Sequence, residues 1–244
     1  MMKFFTLYIV TILLLLTSSL AFSQKAKVTY VASTSNFVED LKNKKNSKGI
    51  QVKTNSSDVE YKLYINKNKS YYKKEESLEA DNSFINRTLV FGGRGIYYYN
   101  LKTNENLHEK ENKLLDRDLL IKYEKIKWNL TKETMKIGKY KCLKATTFVL
   151  RKYGDSYKQK KIIAWYTPDI PLNFGPKNYN GLPGLILSLQ EGDKLQLTAK
   201  LIELKPKEEI VIPEPSEDLE KITFKDYEKE ISKKFDDFRK KKRK

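Results

Sequence analysis

Alternating apolar and polar residues dominate the chain after its first 23 positions. The alternation runs through residues 59–65, 139–151, 160–166 and 195–204, where many apolar members are β-branched or aromatic. A period of two places successive side chains on opposite faces of a strand, so each run predicts a half-buried β-strand. Shorter apolar runs predict further strands at 27–33, 70–72, 96–99, 119–128 and 185–189. Successive hairpins of this kind predict a mainly antiparallel sheet.

The spacing changes to a helical period near the C-terminus. Five apolar residues between 224 and 238 are three or four positions apart, and Thr223 stands where an N-cap would. We expect this stripe to pack on the sheet, and a membrane-surface or partner-binding helix is the alternative. The stripe consists of Phe224, Tyr227, Ile231, Phe235 and Phe238.

These patterns predict a mainly β fold: a curved antiparallel sheet, bowl-like or half-barrel, with a C-terminal amphipathic helix. The 244 residues divide into a leader at 1–23, a β domain at 24–212, and a helix with a basic tail at 213–244.

The leader has the layout of a secretion signal. Lys3 precedes an apolar run at 4–16, and Ala21 and Ser23 occupy the −3 and −1 positions of a cleavage site. That run is well short of the ~20 residues that a membrane-spanning helix needs. We therefore predict cleavage before Gln24 and export to the periplasm, the outer envelope or the medium. No second long apolar run follows, so we expect no transmembrane helix after cleavage.

The formal charge of +17 invites a nucleic-acid function, but the type of basic residue argues against it. Only six of the 48 basic residues are arginine, the residue whose planar fork grips phosphates and guanine edges. We predict no nucleic-acid partner. The basic cluster at 239–244 instead suggests peripheral contact with an anionic surface.

The chain has one cysteine and one histidine, which excludes several kinds of site. Cys142 cannot form an intrachain disulfide, and neither a four-thiolate zinc site nor a two-histidine metal site can be assembled. We predict no metal site and no cofactor. Cys142 lies in an alternating run that predicts a buried position, whereas His108 lies in a polar stretch at 104–110 that predicts an exposed loop.

Residues 165–188 differ in kind from the rest, because they hold four of the seven prolines and three of the ten glycines. Such a density prescribes the backbone tightly, and residues 182–185 suit a type II turn. We assign structural turn roles to Pro168, Pro171, Gly175, Pro176, Gly181, Pro183 and Gly184.

The hexapeptide Gly-Leu-Pro-Gly-Leu-Ile at 181–186 resembles the one that names the GLPGLI family. Segments at 128–134, 137–146 and 164–176 also resemble that family, within a block at about 126–190, although Lys139 and Asp169 replace residues common there. The resemblance implies an exported protein of two-membrane bacteria, often encoded near TonB-dependent receptors. It implies no established activity, catalytic residue or cofactor.

We expect a non-catalytic envelope protein that binds a small apolar ligand on the concave face of the sheet, or assists a TonB-dependent outer-membrane receptor. The abundance of aromatic residues on predicted strands of an exported chain suggests such a site, although the same residues suit an ordinary core. The residues proposed to bind a ligand or partner are Trp165, Tyr166, Phe174, Tyr179 and Leu182.

A hydrolase acting on envelope polymers is the alternative. It requires two carboxylates that meet in a cleft. The candidates in or near the Pro/Gly-rich block are Glu133, Asp155, Asp169 and Asp193.

Overall fold

The computed structural model describes residues 25–33, 59–75, 93–153, 156–193 and 195–242. The predicted secretion signal, its cleavage site and the last two residues of the basic tail lie outside the described residues. Within the described part of the chain, no helix is long and apolar enough to cross a membrane.

Twelve strands and one helix form the regular structure of the described residues. They are β1 (Lys25–Ser33), β2 (Val59–Asn66), β3 (Lys69–Lys74), β4 (Ile96–Asn100), β5 (Glu105–Lys110), β6 (Leu119–Lys122), β7 (Asn129–Ile137), β8 (Tyr140–Tyr153), β9 (Ser156–Thr167), β10 (Leu185–Glu191), β11 (Leu195–Glu203), β12 (Glu220–Thr223) and α1 (Phe224–Lys242).

The strands form a single sheet that curls without closing. Their order is β12-β6-β5-β4-β3-β2-β1-β11-β10-β9-β8-β7, so β1 joins one half, made of β2–β6 and β12, to another half, made of β7–β11. Neighbours are antiparallel except β12, which runs parallel to β6. The predicted mainly β, curved sheet with a C-terminal helix is confirmed.

Strict alternation places the core on one face of the central strands. In β2, Val59, Tyr61, Leu63 and Ile65 are buried while the residues between them are partly exposed. Burial of these side chains removes apolar surface from water, which is the main force holding the halves of the sheet together.

Residues 168–184, which we call the plug, have no regular secondary structure and fill the space between the two halves of the sheet. Phe174 packs edge-on against Tyr99 of β4, at 5.9 Å between ring centroids. The Asn106 amide of β5 donates to the Asn178 carbonyl (2.8 Å), and the Ile186 amide of β10 donates to the Phe174 carbonyl (3.1 Å). The plug therefore bonds to both halves. Its buried apolar residues are Ile170, Leu172, Phe174, Tyr179 and Leu182.

Helix α1 begins as the sequence predicts, because the Thr223 hydroxyl accepts a hydrogen bond from the Asp226 amide (3.1 Å). The first turn packs on the sheet, where the Phe224 ring stacks on Tyr123 at 4.7 Å. Further along, Phe235 and Phe238 stay about half exposed, at 49% and 55%. The predicted apolar stripe thus packs on the sheet at one end only.

Several predicted elements need correction. The strand predicted at 119–128 ends at Lys122. The stretch around His108 is strand β5 rather than an exposed loop, and His108 is only 4% exposed. Two further strands, β7 and β12, had no prediction. Strands β5 and β7 are rich in polar residues, so their own composition did not predict them. Pairing with neighbouring strands can hold such a segment in a sheet. Cys142 is buried, as predicted.

Candidate functional site

A cleft of about 790 Å³ separates the inner face of the sheet from helix α1. Strands β4, β5, β8, β9 and β10 form one wall, together with Lys177 of the plug. The other wall is the apolar face of α1, including Phe224, Tyr227 and Ile231. The cleft therefore has a polar side and an apolar side.

The floor of the cleft holds a buried cluster of three charged side chains. The Glu191 carboxylate at the end of β10 is 2.5 Å from the Lys177 ammonium and 2.9 Å from that of Lys160 on β9. The Glu191 side chain is only 4% exposed and that of Lys177 only 10%. Burial alone would raise the pKa of Glu191, but the two lysine charges outweigh it and lower that pKa to about 2.

Lys177 reaches this cluster through an unfavourable backbone conformation. Its φ of 57° lies in the left-handed region, which is rare for a residue with a side chain. Burial lowers the pKa of Lys177, and the Glu191 charge offsets part of that effect. Strained backbone and a buried charge at one position are features that folding alone does not favour.

Arg151, near the end of β8, lines the same cleft. The central carbon of its guanidinium lies 4.6 Å from the centroid of the Phe224 ring, in a cation–π arrangement. Among the described residues, Glu228 of α1 supplies the one carboxylate within ion-pair range, 3.9 Å away, which is too long for a hydrogen bond. The Arg151 side chain is 23% exposed, so it is largely withdrawn from water as well.

His108 on β5 is buried beside this cluster. Its ring stacks on Tyr97 at 3.8 Å, and Nε2–H donates to the Arg94 carbonyl at 2.6 Å. Desolvation lowers the pKa of His108 to about 3, so the imidazole is neutral at physiological pH. Its Nδ1 is buried without a hydrogen-bond partner among the described residues.

Cationic side chains outnumber acidic ones around the cleft. Seven cationic and three acidic side chains line the cleft, which leaves an excess of four positive charges. Low-dielectric walls strengthen the field of such an excess and raise the local concentration of anions. The cations are Arg94, Lys110, Lys113, Arg151, Lys152, Lys160 and Lys177, and the acids are Glu111, Glu191 and Glu228.

The five residues predicted to bind a ligand are placed elsewhere. Four of them, Tyr166, Phe174, Tyr179 and Leu182, are buried in the core at 3% exposure or less. Trp165 is half-buried, with the Lys144 ammonium 5.8 Å above its ring. None of the five lines the cleft. Their binding role stays a prediction.

Cleft residues such as Arg151, Lys160 and Glu191 carried no recognisable signal in the sequence. Lysines are frequent throughout the chain, Arg151 and Lys160 stand at the ends of predicted strands, and Glu191 falls in the connection after the strand predicted at 185–189. Only the pairing of β8 with β9 and of β9 with β10 brings them together.

The structural turn roles assigned within the plug stay a prediction. A Cβ added at Gly184, where φ is 147°, would lie 2.2 Å from the Thr167 carbonyl oxygen. The hydrogen bonds differ from a type II turn, because the Leu185 amide donates to the Ile170 carbonyl rather than to Leu182 (3.0 Å). The Gly184 amide donates to the Leu182 carbonyl instead (2.8 Å).

Of the four carboxylates predicted for a hydrolase, the three that the structure describes do not line the cleft. Glu133 pairs with Lys144 on an exposed stretch of β7, and Asp169 and Asp193 are exposed. Asp155 lies outside the described residues. No group of three or more His, Cys, Asp or Glu side chains arranged to hold a metal ion occurs within the described ranges.

Comparison with known proteins links one segment to a family. Residues 151–188 match the model of a family described as "Protein of unknown function (Porph_ging)". The match runs from Arg151 to the strand after the plug and includes Lys160 and Lys177. It supports a relationship to an uncharacterised family, and the GLPGLI name stays a proposal. No curated protein matches the chain.

Two solved structures, both named as PNGF-II, share the fold. The one in space group C2 has a TM-score of 0.52 and 18% identity, over 86% of this chain and 33% of that chain. The one in P21 has a TM-score of 0.50 and 19% identity, over 86% and 34%. This chain spans about a third of their length. At such identities the likeness concerns the fold alone.

Proposed function

We propose that this protein is a non-catalytic, exported binding protein that holds a small ligand in the cleft beneath helix α1. The observation that carries the proposal is the open cleft of about 790 Å³ with charged side chains on one wall and apolar ones on the other. Small-molecule sites commonly have volumes of ~300–1,000 Å³ and combine an apolar lining with a few placed polar groups.

The floor of the cleft supports a role beyond packing. Glu191, Lys177 and His108 are polar groups held out of water, and burying such groups opposes folding unless each is paired. A binding site gives a reason to keep them there, because perturbed groups facing a cleft are typical of functional sites.

Native mass spectrometry of the protein purified gently from the envelope of a cell that makes it tests the proposal. We expect a reproducible extra mass that is lost on denaturation. Ser232→Trp places a large ring in the cleft and should abolish the extra mass. Lys233→Trp, at an exposed neighbouring position outside the cleft, is the matched control and should retain it. A bare protein from every preparation would contradict the proposal.

Export and assistance to a TonB-dependent outer-membrane receptor form part of the same proposal. The leader at 1–23 supports export, and the family resemblance supports the receptor. Fractionation of cells making the full chain should recover the protein outside the cytoplasm, beginning at Gln24. Deletion of residues 2–23 should retain it inside.

A further inference from the structure

We infer that the ligand of this cleft is an amphipathic anion, with one oxyanion head bound near Arg151 and an apolar body lying along helix α1. This inference rests on the proposed function, which requires only that some small ligand occupies the cleft. The chemistry of the two walls adds the class of that ligand.

Arg151 is the contact for the head. A guanidinium offers five N–H donors in a rigid fork that matches a carboxylate, phosphate or sulfate. Here the fork is largely buried, and Glu228, 3.9 Å away, is beyond hydrogen-bond reach. A ligand oxyanion would satisfy donors that the described residues leave without a close carboxylate.

The neighbouring charges favour a single anionic head. Lys160 and Lys177 share Glu191, so that cluster keeps a net charge of +1. Arg151 and Lys152 outnumber Glu228 in the same way, while Arg94 and Lys110 add further positive charge. The head therefore enters a cleft with a net positive charge, which attracts an anion and repels a cation.

The body of the ligand is assigned to the helix wall. Tyr227, Ile231 and Phe235 follow one face of α1 along the cleft, and Phe235 is 49% exposed. An apolar chain laid on this face would remove its surface from water.

Calorimetric titration of the full-length mature protein with four probes tests this class of ligand. Decanoate and decyl phosphate combine an oxyanion with an apolar chain, decanol lacks the charge, and inorganic phosphate lacks the chain. We expect both anionic chains to bind at least tenfold more tightly than decanol, and inorganic phosphate to bind weakly. A preference between the two anions tells a carboxylic acid from a phosphate ester.

Three variants test where the oxyanion head of the ligand binds. Arg151→Met keeps an unbranched apolar stem but removes the guanidinium, and it should weaken decanoate ~10–100-fold, the usual effect of losing hydrogen bonds to a charged group. Lys161→Met removes one positive charge from an exposed position of β9 outside the cleft and should leave affinity within about twofold. Circular dichroism confirms that both variants fold. Arg151→Lys should restore only part of the affinity, because a point charge lacks the fork.

Each unexpected result would overturn a different part of the two proposals. If decanol binds as tightly as decanoate, or if Arg151→Met binds decanoate unchanged, the inferred class is overturned while a ligand-binding cleft survives. If inorganic phosphate binds as tightly as decyl phosphate, the apolar body is overturned. If no probe binds and the native protein carries no extra mass, the proposed function itself fails.

Discussion

The plug and the cleft adjoin each other on the inner face of the sheet, yet they are built from opposite kinds of residue. The plug is rich in proline, glycine and apolar residues, and it buries five large side chains among the central strands. The cleft is lined by lysine, arginine and glutamate from four strands and nearby loops, and by one face of α1. Lys177 belongs to both, because it leaves the plug and pairs with Glu191 at the cleft floor.

The segment that could be recognised in the sequence is thus not the one that holds most of the charged groups. The plug carries most of the hexapeptide that resembles a family, and a Cβ at Gly184 would lie close to the Thr167 carbonyl oxygen. The cleft has the positive charge and the open volume that binding an anion requires. The comparison fails if the plug proves dispensable for folding, or if the charged residues of the cleft contribute no more to the unfolding free energy than exposed surface charges do.

The largest effect is expected at the buried charge cluster. Glu191→Gln leaves Lys177 and Lys160 without their counter-charge, and breaking a buried pair in this way costs roughly 3–5 kcal/mol of unfolding free energy. Urea unfolding measures the loss. The control is Glu133→Gln, whose carboxylate is 60% exposed beside Lys144 and should contribute at most about 1 kcal/mol. Equal losses would mean that the cleft floor is energetically ordinary.

A slightly smaller effect is expected in the plug. Gly184→Ala forces a Cβ to within 2.2 Å of the Thr167 carbonyl oxygen and should lower the unfolding free energy by about 3 kcal/mol or more. Gly181→Ala, in the same hexapeptide, has φ at 87° but meets nothing within 4 Å. Its expected loss is about 1 kcal/mol, from backbone strain alone. If the two variants unfold at the same urea concentration, close packing of the plug is not what restricts Gly184.

Stability should depend on pH through His108. Its pKa is about 3 when folded and near 6.5 when unfolded, so the unfolded chain binds the extra proton first. The stabilisation is complete above pH 6.5 and declines as pH falls towards 3, by roughly 3 kcal/mol between pH 7 and pH 4. Urea unfolding across that range measures the slope.

His108→Phe keeps a ring against Tyr97 and should flatten the slope in this window. The pKa of Glu191, about 2 in the folded protein against 4.5, adds a second loss between pH 4.5 and 2 that this variant should retain. A folded His108 that titrates near 6.5 by NMR would contradict its burial.

The smallest effect concerns the apolar wall of the cleft. Thr223→Ala removes the hydroxyl that accepts the Asp226 amide and should destabilise the start of α1 by about 1 kcal/mol. Amide hydrogen exchange within Phe224–Lys242 measures this. Thr223→Ser retains the cap and should behave like the natural protein. Unchanged exchange in the alanine variant would show that contacts of Phe224 with the sheet, rather than the cap, fix the helix start.

The local pattern of apolar and polar residues was enough to predict most of the strands and the helix. The alternation in 59–65 and the 3.6-residue spacing after Thr223 each specify an element, because burial of one face is the dominant force on a local segment. The pattern failed at His108, where a polar stretch became a buried strand, and at 119–128, where the strand ends early. In both cases the neighbouring strands, rather than the segment itself, decide what is buried.

Sequence alone therefore determined the mainly β class, the capped C-terminal helix and the tightly turned Pro/Gly-rich segment, since each depends on residues close together in the chain. Only the tertiary structure decided the strand order, the placement of the plug and the meeting of Arg151, Lys177 and Glu191. Those features arise from strand pairings across long separations in sequence. A charged residue looks the same in the sequence whether such pairing leaves it in water or buries it in a cleft.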